Sequence, residues 1–123
     1  KEEGDLAWLS ANRANVAEYE KDPLCGYCFT ANGFANLFRI MQLCYNPKDW
    51  KLSNPGLPVH FVSGGDDPCR ISDRAFEAAA DFLRKRGYAN VSTRLYPHLR
   101  HEIMLEGDRQ VWDDVLAYME KDI

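Results

Sequence analysis

What this sequence lacks narrows its function before any motif is considered. No apolar run is long enough to cross a bilayer, and 46% hydrophobic with 28% charged residues is the balance of an ordinary soluble protein. Basic charge is scarce: 15 Lys and Arg against 19 Asp and Glu leave a net charge of −4, with the cations scattered rather than striped. No nucleic-acid partner is expected, because phosphate neutralisation needs a concentrated basic surface. No basic-then-apolar leader with a small-residue end opens the chain. Lys1 in place of a starting Met predicts a processed or excised piece. Internal repeats and low-complexity linkers are missing too, and 123 residues predict one domain and hardly more.

Four cysteines are an even number, but a chain this rich in core-forming residues does not need disulfide staples. Of Cys25, Cys28, Cys44 and Cys69, the first two form a C-x-x-C, but a redox pair of that kind sits where a strand enters a helix, and Asp22-Pro23-Leu24 does not read as a buried strand. A zinc site needs two further ligands at regular spacing, and no second C-x-x-C or H-x-x-x-H supplies them. No metal and no cofactor is predicted. The cysteines read as reduced, partly buried thiols, which places the protein in the cytoplasm.

What is present divides near Pro55. Val16 and Tyr19 mark a short helix that Asp22-Pro23 terminates. Thr30 is a natural N-cap for a stronger one, in which Phe34, Leu37, Phe38, Met41 and Tyr45 share a face that Asn46-Pro47 closes. That face is core by default, and it could equally line an apolar substrate pocket. The run from Leu57 to Val62 predicts a buried strand ended by Ser63-Gly64-Gly65. Ser72 and Asp73 open a helix with Phe76, Ala79, Ala80 and Leu83 inward; Arg84, Lys85 and Arg86 suit its C-terminal dipole, and Gly87 its end. Val91 to Leu95 alternates as a second strand, stopped by Tyr96-Pro97. Val111, Trp112, Val115, Leu116 and Met119 mark a last helix. Strand, helix, strand, helix predicts an α/β fold with a parallel sheet. Two strands are too few for such a sheet, whose outer edges would stay unpaired. The sheet is therefore expected to be incomplete, or completed by a second copy or by another chain.

Asp67 follows the first strand in Ser63-Gly64-Gly65-Asp66-Asp67-Pro68, and His101 follows the second in Tyr96-Pro97-His98-Leu99-Arg100-His101-Glu102. Open α/β sheets place their sites at these carboxyl ends. Adjacent parallel strands would bring both loops together, where a carboxylate can hold an imidazole in the tautomer that leaves its other nitrogen free as a base. His60 and His98 read as structural or solvent-facing. Cys69 could face the site as a bystander, and Trp8, Trp50 and Trp112 read as packing residues.

Gly64-x-x-Asp67-Pro68 after a Pro-Val-x-Phe strand, with Tyr96-Pro97-x-x-x-His101-Glu102 downstream, resembles the acid and histidine elements of the α/β-hydrolase fold. More narrowly, it resembles the monoacylglycerol lipase, lysophospholipase and serine aminopeptidase group. Asp22-Pro23-Leu24-Cys25-Gly26 and Phe29-Thr30-x-Asn32-Gly33-Phe34 are similar to the cap segment of bacterial members. The resemblance covers nearly the whole chain, in the family's order. It implies a helical cap or lid over 1–52 and the C-terminal βαβα part of the hydrolase core over 53–123. It implies Asp67 as triad acid, with Asp66 the rival that the G-x-x-D register disfavours, and His101 as base. Phe34, Phe38 and Met41, on the helix from Thr30 to Tyr45, are the implied substrate-pocket residues. The substrate implied is a carboxylic ester, lipid first and a peptide N-terminus second.

The departure from the family is the nucleophile. Its G-x-S-x-G elbow has no counterpart around Ser10, Ser53, Ser63, Ser72 or Ser92; before Ser63, Phe61 stands where the leading glycine belongs. The oxyanion-hole loop, upstream in the family, is missing as well. The expectation is thus a serine-hydrolase fragment, inactive alone, whose partner is the missing N-terminal half or a second copy. The alternative is a non-catalytic remnant that self-associates or binds a partner through its sheet edge.

Overall fold

The computed structural model describes residues 4–121. Helix α1 (Arg13–Lys21) is capped by Asn12, whose side chain accepts from the Ala14 N–H. Helix α2 (Ala31–Cys44) is capped by Thr30, which accepts from Gly33 N–H at 3.1 Å. After a 3-10 turn at Pro47–Asp49, strand β1 (Val59–Gly64) runs to a second 3-10 turn, Pro68–Arg70. Helix α3 (Asp73–Arg86), strand β2 (Val91–Tyr96) and helix α4 (Arg109–Glu120) follow.

Helix α3 carries its own start and stop signals. Ser72 accepts from the Ala75 N–H at 3.1 Å. At the other end Gly87 takes φ +103°, so that its N–H reaches the Arg84 carbonyl and that of Tyr88 the Leu83 carbonyl. The left-handed backbone favours glycine there, and any Cβ would make the Leu52 side chain turn aside, its Cδ2 lying 2.7 Å away.

β1 and β2 pair in parallel, in register from Val59↔Val91 to Gly64↔Tyr96, and among the described residues they are the whole sheet. The strand predicted from Leu57 begins two residues later, because the Leu57 N–H closes a turn onto Asn54. The principal buried cluster is Tyr96, Ile103 and Val111, with Val62, Leu99 and Met104 against it. It sits between the end of β2, the following loop and the first turn of α4. Arg94 of β2 pairs with Asp114 of α4 at 2.7 Å. His60 of β1 stacks on Tyr118 of α4 at 4.5 Å and meets the Ser92 hydroxyl at 2.8 Å, a structural placement as expected.

Helix α2 has no buried residue. Its end is tied down by Tyr45 and, beyond it, Trp50, both edge-on to Phe82 of α3 at 5.1 and 5.4 Å. Phe34, Leu37, Phe38 and Met41 are exposed, so the face read as core by default covers no core in these residues. All four cysteines are free. Cys28, Cys44 and Cys69 are exposed rather than partly buried, because the segments that carry them lie on the surface.

Candidate functional site

The two loops beyond the sheet are stitched together through their backbones. Gly65 N–H donates to the Tyr96 carbonyl at 2.7 Å, and Asp66 N–H to that of Leu99 at 2.9 Å. The approach is so close that a Cβ on Gly64 would lie 2.2 Å from the carbonyl oxygens of both Leu99 and Arg100. Only hydrogen fits at that position.

This crossing brings Asp67 to His101. The Asp67 carboxylate caps the turn Pro68–Arg70: one oxygen accepts from the Cys69 N–H at 2.8 Å, and the other meets His101 Nδ1 at 3.0 Å. The Asp67 side chain is 8% exposed and that of His101 43%. The acid is therefore fixed and dry, and the imidazole is open to a ligand. An ionised carboxylate can only accept, so Nδ1 carries the hydrogen and Nε2 keeps its lone pair for a proton. Asp66 instead faces His98 at 3.9 Å, with side chains 61% and 92% exposed, too open for a positioned pair.

A clamp that local spacing does not announce holds the histidine loop from below. The Glu106 carboxylate accepts from Ser10 Oγ at 2.9 Å and from the N–H groups of Ala11, Asn12 and Arg100 at 2.8, 3.1 and 2.7 Å. Glu102 N–H donates to the Leu9 carbonyl at 3.0 Å, and the Arg100 guanidinium reaches the Ala7 carbonyl. Trp8 lies against the His101 ring, 5.2 Å between centroids. Apart from Arg100 and Glu106, six residues apart, these partners are more than ninety residues apart in sequence, so no periodicity could mark them.

Beside the pair opens a cleft of about 420 Å³. Met41, Tyr45, Val62, Phe76 and Ala79 make its apolar wall, and Asp67, Cys69 and His101 its polar edge. It shares Tyr45 and Ala79 with a second, apolar hollow of about 230 Å³ under Trp50 and Phe82. Of the three pocket residues expected on α2, Met41 lines the cleft. Phe34 and Phe38 stack on each other at 6.3 Å outside its lining. Ser63 lines it too, but its hydroxyl donates to the Gly64 carbonyl at 3.4 Å rather than to His101. Ile71, at the rim, has φ +67° and is spanned by a bond from Ser72 N–H to the Arg70 carbonyl, a strained γ-turn for a β-branched residue.

Cys69 faces the site. Burial pushes its thiol pKa up, and the neighbouring Asp67 charge and hydrogen bond push it further. The ligating atoms of Asp67, Cys69 and His101 all lie within 4.8 Å of one another. The sequence marks no such set, because its members come from two loops and lack the usual zinc spacing. No helix among the described residues is long and apolar enough to cross a membrane.

Residues 1–108 match the family model described as serine aminopeptidase, S33. The fold is similar to a thermostable carboxyl esterase from Bacillus coagulans, solved in complex with glycerol, with a TM-score of 0.61 and 23% identity. That likeness covers 89% of this chain but 35% of the esterase, so the chain spans about a third of that protein's length. Among curated proteins, none matches the chain significantly.

Proposed function

Because the chain belongs to the serine aminopeptidase S33 family of the α/β-hydrolase superfamily, we propose that it is the acid-and-base part of a serine hydrolase acting on carboxylic esters of the lysophospholipase or monoacylglycerol lipase kind. In this reading Asp67 is the triad acid and His101 the base. The nucleophile and the oxyanion donors belong to polypeptide beyond these residues, and the chain alone is inactive. The observation that carries the reading is the 3.0 Å contact between His101 Nδ1 and a buried carboxylate, at matching ends of paired parallel strands.

The chemistry follows from the pair. His101 Nε2 would take the proton of an attacking hydroxyl and later return it to the leaving group, while Asp67 stabilises the imidazolium that forms in between. The apolar wall of the cleft favours an acyl chain over a charged substrate, which ranks a lipid ester above a peptide N-terminus. Residues 1–52 act as a cap in this reading, with Met41 and Tyr45 touching the ligand. Phe34 and Phe38 serve only if α2 moves toward the cleft. The free cysteines support a cytoplasmic setting.

A fluorophosphonate probe tests the reading. A longer protein that includes this chain should be labelled, and the 123-residue chain alone should not. His101→Gln in the longer protein should slow labelling by about 10²–10⁴-fold, the usual contribution of a general base. Labelling of the chain alone would overturn the missing nucleophile, and labelling unaffected by His101→Gln would overturn the base. The bare two-stranded sheet and the exposed face of α2 favour one rival, a non-catalytic remnant that self-associates. A monomer in size-exclusion chromatography at low concentration would count against it.

A further inference from the structure

We propose that Asp67, Cys69 and His101 also form a binding site for a borderline-soft divalent cation, Zn²⁺ above all, and that metal and catalysis compete for the same imidazole. The binding stands on geometry alone; the competition rests on the reading of His101 as a base.

The donor set selects the ion. A thiolate, an imidazole and a single carboxylate oxygen suit Zn²⁺, whereas Mg²⁺ and Ca²⁺ require oxygen ligands. Zinc bonds of usual length place tetrahedral ligands roughly 3.4–3.6 Å apart. The three ligating atoms here lie within 4.8 Å of one another, so a closure of about 1 Å completes the site. The side chains that must move are the exposed ones, Cys69 and His101 at the cleft's edge, and they can turn while the backbones of both loops stay held. Asp67 is the fixed member, buried and held by the Cys69 N–H at 2.8 Å.

The step balances simply. Zn²⁺ forms bonds to Cys69 Sγ, an imidazole nitrogen and a carboxylate oxygen, and the thiol proton leaves to solvent. The imidazole keeps its one proton, on whichever nitrogen the metal does not hold. A neutral imidazole has a single unprotonated nitrogen, and the metal consumes it. His101 can then accept no proton from a nucleophile. Nothing is oxidised or reduced.

The test titrates the 123-residue chain with Co²⁺, a spectroscopic stand-in for zinc. Expected are a thiolate-to-cobalt charge-transfer band, its loss on adding Zn²⁺, and no displacement by Mg²⁺. Cys69→Ser should abolish the band. His101→Gln should weaken cobalt binding by at least about tenfold, the lower end of what losing even a supporting partner costs. Cys25→Ser and Cys28→Ser should leave the band in place. Absence of the band, its survival in Cys69→Ser, or its loss in Cys25→Ser would overturn the site. In the longer protein, Zn²⁺ should slow fluorophosphonate labelling, a chelator should restore it, and Cys69→Ser should lose the zinc effect. Zinc binding without slowing would refute the competition. A longer protein never labelled, with the cobalt band intact, would refute the hydrolase reading and leave the metal site standing.

Discussion

Gly64→Ala is the sharpest perturbation of the site, because it adds one methyl group and no charge. The new Cβ would meet the carbonyl oxygens of Leu99 and Arg100 at 2.2 Å. Both are backbone atoms, so no side-chain rotation relieves the clash. A tolerable carbon–oxygen contact lies near 3.3–3.6 Å, so the histidine loop must retreat by about 1 Å. That retreat would stretch the bonds from Gly65 to Tyr96 (2.7 Å) and from Asp66 to Leu99 (2.9 Å) beyond hydrogen-bonding range. Two lost bonds at about 0.5–1.5 kcal/mol each, with about 1–3 kcal/mol for overpacking, give a loss of about 2–6 kcal/mol. Domains of this kind hold only about 5–15 kcal/mol in all. Gly65→Ala is the control, since its Cβ would stand 3.3 Å from Pro97 Cα and the Tyr96 oxygen. The unfolded-state entropy that alanine removes is common to both variants and cancels in the comparison. Urea unfolding followed by tryptophan fluorescence should show a midpoint for Gly64→Ala well below that of Gly65→Ala. Equal midpoints would refute the claim that backbone contact at Gly64 holds the two loops together.

Three further outcomes are expected. Glu106→Ala strands the nearly fully buried Ser10 hydroxyl and the half-buried Arg100 N–H, while Asn12 N–H keeps Ser10 Oγ at 3.0 Å, and should cost about 1–3 kcal/mol in the same unfolding assay; an unchanged midpoint would show that the clamp carries no load. Burial, then the Asp67 charge, raise the Cys69 thiol pKa, so iodoacetamide should modify Cys69 slowly at neutral pH and faster in Asp67→Asn, as read by peptide mass spectrometry. Burial chiefly lowers the His60 pKa below its ordinary 6.5, so the unfolded chain binds more protons as pH falls through about 6.5. Stability is then full above that value and lost as pH falls through the lower folded pKa; a series of unfolding curves should show that slope flattened in His60→Gln.

Local signals made the helices legible in the sequence. Thr30, Ser72 and Gly87 fix helix ends by hydrogen bonds within a few residues, and each caps the helix expected of it. Val91 to Leu95 alternates, and β2 ends one residue further on. The G-x-x-D register chose Asp67 over Asp66, and the structure puts Asp67 beside His101 with Asp66 at the surface. Long-range partners were not legible. Trp8 read as packing and touches the histidine ring; Glu106 carried no motif and gathers four donors. The face of α2 read as core because amphipathicity reports that a helix seeks a partner, not that the partner is among these residues.

The parallel register of β1 and β2 has a consequence for assembly. A slip of one residue would shift one loop along the other by about 3.3 Å and turn every side chain of the strand to the opposite face. Asp67 would then lie beyond reach of His101, which it meets at 3.0 Å. In one direction the slip would also place Ser63 beneath the Leu99 and Arg100 carbonyls, where there is no room even for the Cβ of alanine. Gly64 is thus a steric key as well as a hinge-free crossing point, and it permits the pairing of Gly64 with Tyr96 while penalising that neighbour. The alignment of two short strands and the meeting of a carboxylate with an imidazole are the same event.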